Sequence, residues 1–421
     1  MNRVLIEGIT EAYTATGNGA VTRSDVMLRI EDAAILVEDD RIARIGTREE
    51  LGRDLPADVA RVDMGGKVAI PCFVDPHTHL VWGGDRSDEF NRRLHGAGYV
   101  EIAAAGGGIK STVRQTRAAD RDALAAKALR TLDTMLLHGV GTIEAKSGYG
   151  LDLETEIKQL DVMDQVSAAH PVEMVQTFMG AHEVPPEYAG RPGDYVDYLN
   201  RELLPIVAKR GNVPYVDIFC EKNVFELDDS RRHLEAAAAH GFKIRMHADE
   251  LHPLGGAGLA AEMGAVSADH IVWASEEHMA AMAEAGTIAT LLPGTSFFLR
   301  GRYADADAFK QAGCAVALST DYNPGSSHTV SQALMMALAC MNMGMTFEES
   351  FIGVTLNAAA AIDKAATHGT LEVGKKADIA FLDAPSVMYL VYYWGINHVS
   401  DVMKDGNFAV RDRRRIDGTS A

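Results

Sequence analysis

The chain has 421 residues, 47% of them hydrophobic and 24% charged, and a net charge of -19. That length exceeds the roughly 250–300 residues at which a single core stops growing, so one large domain and one small one are expected. The acidic balance disfavours nucleic acid and anionic membrane surfaces as partners, and every apolar run falls well short of the roughly 20 residues of a membrane span.

The amino terminus, Met1-Asn-Arg-Val-Leu-Ile-Glu, has no long apolar stretch followed by a small-residue cleavage site, which points to a cytoplasmic protein. From there to about Gly66 the pattern is of short strands and turns: Val4 to Gly8, Ala34 to Gly46 and Val59 to Met64. Lys67 to Val74 then reads as a buried strand and runs into His77-Thr78-His79. Residues two apart on a strand point the same way, so both imidazoles can reach one metal ion. Trp82-Gly-Gly-Asp-Arg86 follows at once, and a guanidinium beside a metal site suits a bidentate contact with a carboxylate, with an ion pair to Asp85 or Asp88 as the alternative. Gly106-Gly107-Gly108 marks a tight loop near Tyr99; with no strand before it and no P-loop lysine, it is not a nucleotide motif.

Beyond this loop, apolar strands alternate with Ala-rich helices, the texture of a parallel α/β core. Further strands are predicted at 140–145, 173–179, 215–220, 243–247, 267–272, 287–292 and 315–320, and helices at 118–138, 155–169, 230–240 and 275–285. Eight strands with intervening helices predict a (β/α)8 barrel over residues 67–366, whose site is built at the carboxy-terminal strand ends. Those ends carry Tyr149, His182, Cys220-Glu221-Lys222, His247-Ala-Asp-Glu250, Asp269-His270 and Asp321-Tyr-Asn323-Pro-Gly325-Ser326. From Gly369 to Asp383 and around 397–402 the β idiom returns, so residues 1–66 and 367–421 are expected to form one discontinuous β-sandwich domain. Cys72, Cys220, Cys314 and Cys340 show no paired spacing, and three of them lie in apolar runs; they are expected to be small buried hydrophobes with no redox or zinc-finger role.

Two strand-one histidines, His247 of strand five and Asp321 of strand eight make a donor set suited to zinc or iron. Singly, His247 could be a core histidine and Asp321 a turn cap. Glu250, three residues past His247, could reach a metal-activated water as a general base rather than stay a solvated loop residue. Asp269 could orient His270, which could polarise a carbonyl or serve only as support. Tyr149 and His182 could hydrogen-bond a polar ring, although Tyr149 could equally be packing.

The order β unit, Pro71-Cys-Phe-Val-Asp-Pro-His-Thr-His79, His247-Ala-Asp-Glu250, Ser319-Thr-Asp321 and Gly374-Lys-Lys-Ala-Asp378 resembles the amidohydrolase superfamily across nearly the whole chain. Gly106 to Thr112, Glu144 to Gly150, Thr177 to His182 and the stretches 77–86 and 321–326 narrow that resemblance to the imidazolonepropionases of histidine degradation. The resemblance implies ligation of one zinc or iron ion per chain by His77, His79, His247 and Asp321, with Glu250 and His270 as the catalytic pair. It implies substrate contacts from Arg86, Tyr149, His182, Glu250, Asn323, Gly325 and Ser326, and from Tyr99 as a lesser candidate. The implied reaction opens the ring of 4-imidazolone-5-propanoate to N-formimidoyl-L-glutamate, and the implied assembly is a homodimer. Binuclear superfamily members use a carboxylated lysine ending strand four; here Lys222 comes one step late, so one metal is expected and any role of Lys222 stays open. A deaminase or another cyclic amidohydrolase is the alternative, because the same groups can attack an amidine carbon.

Overall fold

The computed structural model describes residues 3–52, 59–97 and 106–416. Strands β1 (Arg3–Ala15), β2 (Met27–Glu38), β3 (Arg41–Thr47) and β4 (Ala60–Pro71) open the chain. Eight further strands follow: β5 (Phe73–Thr78), β6 (Val140–Lys146), β7 (Glu173–Ala181), β8 (Tyr215–Cys220), β9 (Lys243–Ala248), β10 (Ser267–His270), β11 (Ile288–Leu291) and β12 (Val316–Leu318). The chain closes with β13 (Ile379–Leu382), β14 (Val399–Lys404), β15 (Asn407–Arg411) and β16 (Arg414–Arg415).

Strands β5 to β12 pair in sequence order, all parallel. A bridge between Thr78 and Tyr322, with the His79 amide donating to the Tyr322 carbonyl at 2.9 Å, joins the last strand end to the first and closes the barrel. The predicted helices form over Arg121–Leu137, Leu153–Ala169, Leu227–Ala239 and Glu276–Ala285. Asp120, Asp152 and Ser275 start three of them by accepting a backbone N–H three residues on.

The second sheet has the order β16-β15-β14-β13-β4-β1-β2-β3 and so is built from both termini, around a core that includes Ile6, Ile35, Ile379 and Phe381. One expectation changes here. The run 67–74 is not a single barrel strand: Val68 to Pro71 pair with Leu382 to Ile379 in the terminal sheet, and the barrel strand begins at Phe73. The Cys72 amide already donates to the Asp378 carbonyl, so the changeover falls there. Hydrophobicity could not mark it, because the run is buried in both sheets.

Parity along the barrel strands explains how the site is made. On β6, β8 and β9 the residues Ile143, Val216, Ile218, Ile244 and Met246 join the core shared with the helices. Their neighbours Glu144, Lys146, Asp217, Arg245 and His247 therefore turn to the opposite face, where they contact one another. Cys72, Cys220 and Cys314 are buried and Cys340 is partly buried, all as free thiols. Among the described residues, no helix is long and apolar enough to cross a membrane.

Candidate metal centre and active site

His77 is fully buried, and its Nδ1 lies 2.6 Å from Asp269 Oδ2. His247 Nδ1 lies 3.0 Å from Asp217 Oδ2. With a carboxylate accepting the Nδ1 proton in each case, the Nε2 lone pair is left to face inward, and both Nε2 atoms lack a hydrogen-bond partner. His79 Nδ1 is likewise buried without one. One ring nitrogen from each of the three histidines lies within 4.8 Å of the others. Asp321 Oδ1 joins them at 3.5 Å from His77 Nε2 and 3.7 Å from His79 Nε2, while its Oδ2 accepts from Thr295 Oγ1 at 2.6 Å. Burial, reinforced by nearby cations and imidazoles, holds His77 and His79 well below the usual imidazole range and hence in the neutral, ligating form. Unpartnered buried nitrogens are costly unless something uses them. Three converging imidazoles, two of them with an unpartnered Nε2, and a carboxylate fit a zinc or iron ion.

The end of β12 is held to β5 by Asp75, which accepts from the Thr320 amide at 3.1 Å, from Thr320 Oγ1 at 2.6 Å and from Ser319 Oγ. That clamp places Asp321 beside His77. Asp321, at φ 51°, and His270, at φ 71°, both occupy the left-handed region, a strain typical of functional strand ends.

Glu250 owes its place to Asp249, whose carboxylate accepts from the amides of Leu254, Gly255, Gly256 and Ala257 and so fixes the loop after β9. Glu250 Oε2 then lies 3.6 Å from His270 Nε2. Burial, with the charges of Asp321 and Glu221, pushes the Glu250 carboxyl up to about 8, and burial holds His270 neutral. A carboxylate tuned into this range can take and return a proton.

His182 stacks on His79 with ring centroids 4.8 Å apart, and its Nδ1 lies 3.0 Å from the Gly148 carbonyl. Burial pushes His182 down to about 3. Tyr149 is buried 5.2 Å from His182 and 5.6 Å from His79. These two rings therefore form a wall beside the metal donors. Arg86 sits across from the strand-eight loop: a Cβ on Gly325 would come within 2.1 Å of its Nη1, so only glycine allows that approach. Asn323 organises this loop, donating to Ser326 Oγ at 2.8 Å and to the Asp321 carbonyl at 2.7 Å, while its Oδ1 accepts from the Gly325 and Ser326 amides. Tyr99 lies outside the described residues.

Several expectations need correction. Arg86 pairs with neither Asp85 nor Asp88 but with Glu89, through Nε at 2.8 Å, because the helix Ser87–Leu94 brings that side chain back one turn. Asp269 holds His77 rather than His270, since on β10 it faces the barrel interior. Lys222 is exposed, with its backbone amide on Glu221. Sequence reasoning also missed Asp217, Asp269 as a histidine partner, Lys146, Arg245 and Thr295. The signal for most of them was available: charged residues two apart in otherwise apolar buried strands, as in Glu144-Ala-Lys146 and Arg245-Met-His247.

A sequence profile described as the amidohydrolase family matches residues 68–409. The chain is similar to an imidazolonepropionase of Geobacillus sp. (strain WCH70), 50% identical over 409 residues and 96% of each chain. It is also similar to an imidazolonepropionase of Alkaliphilus metalliredigens (strain QYMF), 47% identical over 98% of this chain and 99% of the relative. Among solved structures, a triazine hydrolase from Arthobacter aurescens superposes with a TM-score of 0.77 at 17% identity, over 99% of this chain and 96% of that one, which speaks to the fold.

Proposed function

The chain belongs to the amidohydrolase family, and from that premise we propose that it hydrolyses the cyclic amide of 4-imidazolone-5-propanoate to N-formimidoyl-L-glutamate, a step of histidine degradation. The observation that carries this reading is the convergence of three buried histidines, His77 and His247 with unpartnered Nε2 atoms among them, beside Asp321, in a chain half identical to imidazolonepropionases over nearly its full length.

His77, His79, His247 and Asp321 are the residues that would hold one zinc or iron ion. Bound there, the ion supplies Lewis-acid activation of a water and of the ring carbonyl. Glu250 is assigned as the base that takes the proton of the attacking water and returns it to the departing ring nitrogen. His270, neutral and 3.6 Å from Glu250, is placed to donate to oxygen as charge develops on it. Arg86 holds the propanoate, with Nη1 and Nη2 available beyond the Glu89 contact on Nε. Tyr149 and His182 hold the ring, and the Asn323, Gly325 and Ser326 loop bounds the pocket on the Arg86 side. Lys222 plays no part in this scheme, consistent with a single ion.

The test is loss of imidazolonepropanoate absorbance with purified protein, before and after chelation and on re-addition of zinc or iron. Turnover of guanine, cytosine or a hydantoin in its place would transfer the assignment to a deaminase or another cyclic amidohydrolase.

The same reading includes a homodimer in the cytoplasm. Residues 384–400 contain no Asp, Glu, Lys or Arg in a chain of net charge -19, so two copies can meet there without opposing like charges. Tyr392 is 75% and Trp394 59% exposed, flanked by exposed Met388, Tyr393 and Ile396. At ~200 Å² per large side chain, this patch offers roughly 600 Å² of the ~800 Å² that each partner of a standard interface buries. Light scattering of a Tyr392→Glu, Trp394→Glu variant is expected to give a monomer; an unchanged dimer would place the interface elsewhere.

A further inference from the structure

Five charged side chains with no direct place in the reaction lie inside the barrel, all fully buried: the carboxylates of Glu144, Asp217 and Asp269 and the cations of Lys146 and Arg245. Burying so many charges is expensive, and nothing in barrel closure requires it, because apolar residues of similar volume fill such a layer at less cost. What sets these groups apart is where the carboxylates point. Asp269 receives His77 Nδ1 and Asp217 receives His247 Nδ1. Two of the three metal-facing imidazoles are thus aimed by two buried anions.

Those anions belong to different strands, and in a dry interior their like charges repel with little screening. Lys146 lies between them. Its Nζ is 2.9 Å from Asp217 Oδ2, 3.6 Å from Asp269 Oδ2 and 2.8 Å from Glu144 Oε1. Arg245 makes a different set of close contacts, with Asp269 Oδ2 at 3.0 Å and with the carbonyls of Pro76 and Ala361, and so anchors one carboxylate to the backbone. We propose that Lys146 is a positioning residue for the metal centre: its single ammonium ties the carboxylate behind His77 to the carboxylate behind His247, so that both imidazoles address one cation.

Without that ammonium, Asp217 and Asp269 would relieve their repulsion by turning apart, and each would carry its imidazole with it. Neither histidine is lost, yet the two nitrogens no longer converge. Three carboxylates against two cations also leave the layer one charge negative, which favours a cation in the layer of ligands beside it.

The proposal rests on the metal site assigned above, and the experiment separates the two. Lys146→Met removes the tie but also unbalances the layer, so it is combined with Glu144→Gln, which keeps the net charge at minus one. Zinc affinity of the metal-free wild type and of the double variant is measured by competition with a chromogenic chelator, and the visible spectrum of each is recorded after cobalt substitution. The expected result is a cooperatively folded variant that binds zinc roughly 10- to 100-fold more weakly, the range for loss of an outer-shell partner, with an altered cobalt spectrum. An affinity within threefold of wild type and an unchanged spectrum would overturn the role of Lys146. A wild type that retains no zinc would instead overturn the site itself.

Should the double variant not fold, the wild type carries the test. Long-range proton–nitrogen spectra of the metal-free protein, with His77 and His247 assigned by single His→Gln substitutions, are expected to show both rings locked as the Nδ1–H tautomer. Mixed tautomers at either ring would refute the positioning.

Discussion

As the proposed base, Glu250 joins two requirements that pull against each other: a base must be ionised, yet burial beside Asp321 and Glu221 pushes its carboxyl up to about 8. A bound cation draws the value back down, so the acid limb of kcat/KM is expected between the ordinary glutamate value of about 4.3 and 8. Since Glu221 contributes to the upward push, Glu221→Gln is expected to move that limb to lower pH, which a kcat/KM profile would register; a limb moving upward would contradict the assignment. Glu250→Gln removes the base and leaves every proposed ligand, so metal content should persist while kcat falls roughly 100- to 10,000-fold. Arg86→Ala tests the other end of the pocket. Loss of a charge-assisted contact worth ~1.5–3 kcal/mol should lower kcat/KM roughly 10- to 150-fold for the propanoate-bearing substrate.

At the scale of elements, period-2 alternation within buried strands separates a hydrophobic outer face from a charged inner one. Runs such as Lys243-Ile-Arg-Met-His247 carry that division in the sequence, and the strand ends with their histidines were legible for this reason. The join between β4 and β5 was not, because two strands of different sheets follow each other without a polar break. The foot of the barrel meets the terminal sheet through charges: His368 Nε2 lies 3.0 Å from Glu173 Oε2 and 3.5 Å from Asp378 Oδ2, and Lys364 Nζ lies 2.6 Å from Glu173 Oε1. Burial alone would raise the Glu173 carboxyl, but the close ionic contacts of His368 and Lys364 outweigh it and hold the group well below the usual range. A depressed folded pKa contributes stability that is present above the unfolded value of about 4.3 and is lost as pH falls below it. Glu173→Gln should therefore lower Tm at pH 7, and the gap to wild type should close as the pH is taken from 5 towards 3. A gap constant with pH would mean that the contact matters through packing alone.

For the whole molecule, the proposed metal site would tie three strand ends together through four ligands: both histidines that close β5, His247 on β9 and Asp321 after β12. An ion bound there is linked to folding, and a ligand at 100 times its dissociation constant adds about 2.7 kcal/mol to the folded state. Chelation is expected to lower Tm by a few degrees and to abolish activity, both recovering with added zinc or iron. Loss of activity with no change in Tm would point to a site that does not bridge the strands.

Strand number, the alternation with helices, and the strand-end positions of the four proposed ligands and of Glu250 could be read from residues alone, because side-chain period and strand-end position are local properties of a chain. Which carboxylate serves which histidine could not be read in this way. Asp269 is 192 residues from His77, and Asp217 is 30 from His247; their pairing depends on how β5, β8, β9 and β10 are staggered around the barrel. The same holds for the close approach of Arg86 to Gly325 and for Lys146 between two carboxylates. Each is a contact a few ångströms long between segments far apart in sequence, and only closure of the barrel brings such segments within reach.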